Sequence, residues 1–147
     1  MRIGTYIIII ITLSLMILFT NYCWVNKEGF FQKKNIDPLI YELQAILLKV
    51  DPDVASKINI QDDTSSYTIN KKNMHLCLRD EDGEYFNKNM LIYVAIHELA
   101  HCKCKSIGHT PEFYRIMDEM LEKAKKLGIY QDDVKTVRYY EKVCGEN

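Results

Sequence analysis

Hydrophobic and polar positions divide the chain into two unlike parts. Residues 5–25, TYIIIIITLSLMILFTNYCWV, carry no charge and are mostly Ile, Leu, Met and Phe. A helix of that length reaches about 31 Å, which matches a hydrocarbon core. Tyr6 lies near one end, Tyr22 and Trp24 near the other, and Lys27 closes the segment, an arrangement like an aromatic belt. The pattern predicts an uncleaved, single-pass transmembrane helix, hence a membrane location and a lipid bilayer as partner through residues 5–25. A signal peptide would need a small-x-small cleavage site, and FTNYCW offers bulky residues instead. Residues 26–35, polar with two aromatics, read as a juxtamembrane linker. Lysines 27, 33 and 34 face Arg2 across the segment; this leans towards a cytosolic C-terminal domain but leaves the side open.

From residue 36 to 147 the pattern is that of one α+β domain. Asp37-Pro38 suits a helix start, and Leu39, Ile40, Leu43, Ile46, Leu47 and Val50 recur at helical spacing. Asp51-Pro52-Asp53 stops that helix. KINIQDD reads as a short strand. SSYTIN and MHLCLR alternate and flank KKN, which predicts a hairpin with His75 as a half-buried or surface strand residue. DEDGEY is a turn around Gly83. Residues 87–105 are apolar almost all round, the mark of a buried central helix. The chain then turns at Ser106-Ile107-Gly108. A last helix starts at Thr110-Pro111, with Phe113, Ile116, Met117, Met120, Ala124 and Leu127 on one face and Gly128 at its end. The tail is irregular or weakly stranded.

Charge adds little. The net value of −1 gives no field that would draw nucleic acid, so none is expected as partner. Five cysteines, an odd number without framework spacing, lean towards a reducing compartment for the domain, with Cys77 and Cys144 as ordinary thiols.

The chemistry lies in AIHELAHCKCKSIGHTPEF, residues 95–113, which holds three of the four histidines. His97-Glu98-Leu99-Ala100-His101 is an H-E-x-x-H pattern. Positions i and i+4 lie about 40° apart around a helix, so both imidazoles can share one ion. Glu98 is turned about 100° from His97, beside the metal, where it can hold and deprotonate a water molecule. Neutral imidazoles suit Zn2+, which lowers the pKa of bound water towards 7. A catalytic zinc takes three protein ligands and leaves one position open. Gly108 permits a sharp reversal, and His109 directly after it is the candidate third ligand. Glu119 and Glu122 compete for that place, but by helical projection neither faces inwards. Cys104 shares the histidine side of its helix and could close a structural site; Cys102 faces away.

The stretch LCLRDEDGEYFNKNMLIYVAIHELAHCKCKSIGHTPEF resembles the active-site region of WLM and SprT-like zinc metallopeptidases. It is most similar to small WLM-like proteins encoded by large DNA viruses, and a viral protein would sit in a virion or host membrane. The likeness spans about residues 36–147 and is specific over 76–120. It implies a minimal zincin-like fold, a small sheet on two or three helices, with His97, His101 and His109 as zinc ligands, Glu98 as general base and Phe113 packed behind the site. It also implies that the strand before the metal helix, Met74 to Leu78, receives the substrate as an added strand. Better-known WLM proteins have a shorter run between the second and third histidines than the seven residues here, and they act on DNA–protein crosslinks. No basic DNA-binding tract accompanies the motif here, so the chemistry carries over and the crosslink substrate does not.

The resulting expectation is a membrane-anchored zinc metallopeptidase, an endopeptidase acting on a protein or peptide. The alternative is a non-catalytic, membrane-tethered domain whose zinc is structural. Tyr139 or Tyr140 could reach the site from the tail to stabilise an oxyanion, though packing explains them as well.

Overall fold

Local capping sets most of the helices. The computed structural model describes residues 4, 6, 7, 10–20 and 36–132. The chain divides into two units, Met1–Asn35 and Ile36–Asn147. In the second, helix α1 (Pro38–Val50) begins where the Asp37 carboxylate accepts the Leu39 N–H, with Pro38 in its first turn. Its buried stripe is Ile40, Leu43, Ile46, Leu47 and Val50. Asp51 ends α1 and at once caps a short helix α2 (Pro52–Ala55) by accepting the Val54 N–H. The Asp-Pro-Asp stop is therefore also a start, because Pro52 suits a first helical turn as well as it ends the preceding helix. Asp51 also accepts from Lys103 at 2.7 Å, which ties this junction to the end of the metal-motif helix. Burial raises the Asp51 pKa, but Lys103 and the Val54 N–H outweigh it and hold the carboxyl below its usual range.

Strands β1 (Asn59–Asp62), β2 (Tyr67–Ile69) and β3 (Asn73–Leu76) form a sheet in the order β1-β3-β2. The predicted hairpin is β2–β3, antiparallel, with Thr68 opposite Met74. β1 lies parallel to β3 on the other side, with Ile60 opposite Met74. Met74 and Leu76 are fully buried, while His75 on the opposite face is half-buried. Because β3 is flanked by both other strands, residues 73–76 have no free edge. The expectation that Met74–Leu78 receives a substrate strand is thus corrected; β2 is the edge strand on that side.

Helix α3 (Lys88–Lys103) is the centre of the domain. Asn87 caps it by accepting the Asn89 N–H. It packs against α1, α2, both strands of the hairpin and helix α4 (Pro111–Lys126). Its buried residues include Met90, Leu91, Val94, Ala95, Ile96, Leu99 and Ala100, so an all-round apolar sequence has become a core helix, as its pattern predicts. Thr110 caps α4 by accepting the Phe113 N–H. Phe113, Ile116, Met117, Met120, Leu121 and Ala124 are buried. Leu127, expected on that face, is exposed, because it already belongs to the C-cap. The domain is α+β, a small three-stranded sheet with helices.

The membrane-spanning part of the expected fold is corrected. Among the described residues, no helix is long and apolar enough to cross a membrane. The single-pass membrane location falls with it. The linker at 26–35, Cys23 and Cys144, the tail beyond 132, and Tyr139 and Tyr140 lie outside the described residues. Cys77 is disulfide-bonded; this replaces the free thiol expected there and removes the support for a reducing compartment.

Candidate metal centre

The helical spacing of the motif places His97 and His101 on one side of α3, and the loop after α3 returns the third histidine to them. Gly108, with φ +79°, provides the left-handed reversal that a side chain would strain. The three Nε2 atoms converge: His97 to His101 is 3.1 Å, His101 to His109 is 3.2 Å, and His109 to His97 is 3.0 Å. Each neutral imidazole has one donor nitrogen and one acceptor nitrogen, so three Nε2 atoms facing one another make a poor hydrogen-bond set. They make a good ligand set. A triangle of that size has its centre about 1.8 Å from each nitrogen, so one point about 1 Å off its plane satisfies the zinc–nitrogen distance of about 2.0–2.1 Å to all three. The donor set therefore fits Zn2+.

The surroundings keep His97 and His101 neutral. Burial, then the charge that His101 and His109 would carry, brings His97 down to about 3. Burial, then His109 and Lys71, brings His101 down to about 4. Neutral imidazole is the form that binds metal. The Phe113 ring, fully buried, stacks on His101 at 4.2 Å and meets His97 and His109 edge-on at 5.0 and 4.8 Å. One aromatic side chain from α4 thus fixes the orientation of all three imidazoles.

Glu98, one residue along α3, is only 5% exposed. Its Oε2 accepts the hydroxyl proton of Thr68 at 2.8 Å. A buried carboxylate without such partners would be costly. Thr68 comes from β2, thirty residues upstream, and no sequence motif marks it; it is simply one residue of an alternating strand. Half-buried Cys102 lies near the same pair, and burial pushes its thiol up to about 11, which keeps it protonated and poorly nucleophilic.

The competing ligands are elsewhere. Among the described residues, the cluster that could hold a metal has three members, His97, His101 and His109. Glu119 pairs with Arg115 at 2.7 Å and Glu122 with Lys125 at 3.0 Å, both at the surface of α4. Buried Cys104 lies 3.2 Å from the Ser106 hydroxyl and 3.4 Å from Glu112. His75 lies on the outer sheet face with Asp63 at 2.9 Å.

The fold and site define a class: a small α+β domain with a three-histidine cluster formed by an H-E-x-x-H helix and the loop that follows it. Protein 042R of Invertebrate iridescent virus 3, uncharacterized, is 36% identical over 125 residues, covering 82% of this chain and 77% of that protein. The chain belongs to the family of that viral protein. Uncharacterized protein 136R of Invertebrate iridescent virus 6 is 39% identical over 90 residues, 59% of this chain; the match spans only 51% of the length of 136R. Uncharacterized protein R325 of Acanthamoeba polyphaga mimivirus is 36% identical over 69 residues, 46% of this chain and 35% of its own length. No family model matches the chain, and no solved structure does.

Proposed function

We propose that the domain is a zinc-dependent peptide hydrolase with Glu98 as its general base. The observation that carries this reading is the convergence of three Nε2 atoms within 3.0–3.2 Å, two of them from an H-E-x-x-H helix whose glutamate is buried. The resemblance to WLM and SprT-like metallopeptidases points the same way. His97, His101 and His109 would hold the ion. Zinc in such a set supplies Lewis acidity and brings the pKa of water near neutrality. Glu98 accepts a proton from the attacking water as its oxygen bonds to the scissile carbonyl carbon. It returns that proton to the amide nitrogen as the carbon–nitrogen bond breaks. Thr68 holds the carboxylate in the orientation both transfers need. An extended peptide would pair with the outer edge of β2, the strand that already touches Glu98. A closed structural site needs a fourth protein ligand, and among the described residues the cluster offers three.

The test is metal content of the full-length chain, together with cleavage of fluorescent casein and of quenched peptide mixtures, in the wild type and in Glu98→Gln. One zinc per chain in both proteins, with cleavage reduced about 10²–10⁴-fold in Glu98→Gln, is the expected result. Undiminished cleavage in Glu98→Gln would remove Glu98 from the mechanism. A folded wild type without metal would remove the zinc reading altogether.

A further inference from the structure

The loop that brings His109 to its partners is tied down from the turn between β2 and β3. Between β2 and β3 the chain makes a tight turn, with the Lys72 N–H donating to Ile69 O at 3.1 Å. Asn70 and Lys71 both take left-handed backbone, φ 53° and 56°. Such turns favour Asn-Gly. Asn70 fits the preference, but a lysine stands where glycine would be free of strain. Its side chain has a use. The Lys71 ammonium donates to the carbonyls of Cys104 and Lys105, the latter at 2.7 Å, and lies 3.5 Å from Ser106 O. These carbonyls follow the last turn of α3, where the helix leaves acceptors unpaired and its dipole favours a cation.

On its other flank the same segment is held by Glu112, which accepts from the Ser106 hydroxyl at 2.7 Å and from the Ser106 N–H at 3.3 Å. Beyond it come Ile107, 92% exposed, the Gly108 reversal, and His109. The direction in which the chain leaves residues 104–106 therefore decides where His109 arrives.

Building on the zinc reading above, we infer that Lys71 is a positioning residue for the third metal ligand. It clamps residues 104–106 so that His109 is presented to His97 and His101. Two effects of this lysine on a cation have opposite sign. The clamp strengthens binding by pre-ordering His109, whereas its positive charge, near enough to act on His101, weakens binding. The clamp dominates, since losing partners that orient a ligand commonly costs about 10–100-fold in metal affinity.

The experiment measures Zn2+ affinity of the full-length chain by competition with a chromophoric chelator, with Co2+ absorption as a report on ligand geometry. The proteins are wild type, Lys71→Gly, Lys71→Met, His109→Ala, and Lys71→Gly with His109→Ala. Glycine suits the left-handed turn, so Lys71→Gly should keep the thermal midpoint of the metal-free protein while weakening Zn2+ binding about 10-fold or more. Lys71→Met should weaken it similarly. In the His109→Ala background, Lys71→Gly should cost nothing further, because the ligand it serves is gone. Unchanged or tighter binding in Lys71→Gly would overturn the clamp. So would an equal loss in the His109→Ala background, which would make Lys71 a general support of the fold. A loss confined to Lys71→Met would trace to turn strain and overturn it too. If the wild type binds no Zn2+, the zinc reading itself fails, an outcome distinct from all of these.

Discussion

Two groups of histidine side chains sit on opposite faces of the same small sheet, and they are built differently. On the outer face, His75 stacks on Tyr67 with ring centroids 4.3 Å apart. Its Nδ1 meets Asp63 at 2.9 Å and its Nε2 meets Gln61 at 3.0 Å. Tyr67 donates to the same Asp63 carboxylate at 2.9 Å. Every polar atom of that imidazole faces a complementary protein group. On the inner side, His97, His101 and His109 turn their Nε2 atoms only towards one another. A histidine surrounded by an acid and an amide is satisfied by the protein. Three imidazoles aimed at one point are satisfied by an ion. The difference lies in partners rather than in residue type or burial, and it is what separates a structural histidine from a candidate ligand.

The largest expected effect tests the inner group directly. His101→Ala removes one of the three converging nitrogens and leaves two ligands. Zinc stoichiometry of the purified full-length chain, measured by elemental analysis, should fall from one to near zero. Retention of a full equivalent would mean that the convergence of the three rings does not define the site.

Next comes the metal-free protein. His97 has its pKa lowered from 6.5 to about 3. Above pH 6.5 the imidazole is neutral in both folded and unfolded chains. Below it, the unfolded chain takes up a proton that the folded chain refuses, so stability falls as pH falls. The slope is about 1.4 kcal/mol per pH unit from His97, with a smaller share from half-exposed His101. Denaturant unfolding in the presence of a chelator, from pH 6.5 to 5, should show this loss, and His97→Ala should flatten it. A profile already flat in the wild type would show that burial does not hold His97 neutral in the folded chain.

A smaller effect concerns the strand that bridges the two faces. Thr68→Val keeps the shape of the side chain but removes the hydroxyl that Glu98 accepts. It should lower kcat of peptide cleavage about 10-fold, with KM and zinc content nearly unchanged, and Thr68→Ser should restore most of the rate. Loss in both variants alike would assign Thr68 to packing. The smallest effect is expected on the outer face itself. His75→Ala should leave zinc affinity at the wild-type value, since none of its partners contacts the cluster. A marked change in affinity would show that the two groups are coupled through β3.

Much of this architecture was legible in advance. Asp37-Pro38, Asn87 and Thr110-Pro111 mark helix starts because a cap needs only a side-chain oxygen and a few residues of chain. The apolar circumference of residues 90–100 announced a core helix, and His75 was placed correctly in a half-buried strand. The misreadings share a cause. The resemblance implied that Met74–Leu78 would receive a substrate strand, but β1 docks parallel on that side, a pairing between segments a dozen residues apart that leaves no local signature. The hydrophobic N-terminal run predicted a membrane span from composition alone, and no described helix has the required length and apolarity. Thr68 and Lys71 carried no signal, since their roles exist only after the hairpin has packed on α3.

By itself the sequence determined what depends on neighbours along the chain: caps, periodicity, the pairing of His97 with His101 at one turn of helix, and Glu98 between them. Such features follow from backbone geometry, and any stretch with that spacing would share them. Only the tertiary structure decided which loop path returns His109 to the helix, which strand touches Glu98, and which histidine keeps an acid for company. Those outcomes depend on burying α3 beneath the sheet and α4, a long-range balance of packing that brings together residues thirty or more positions apart.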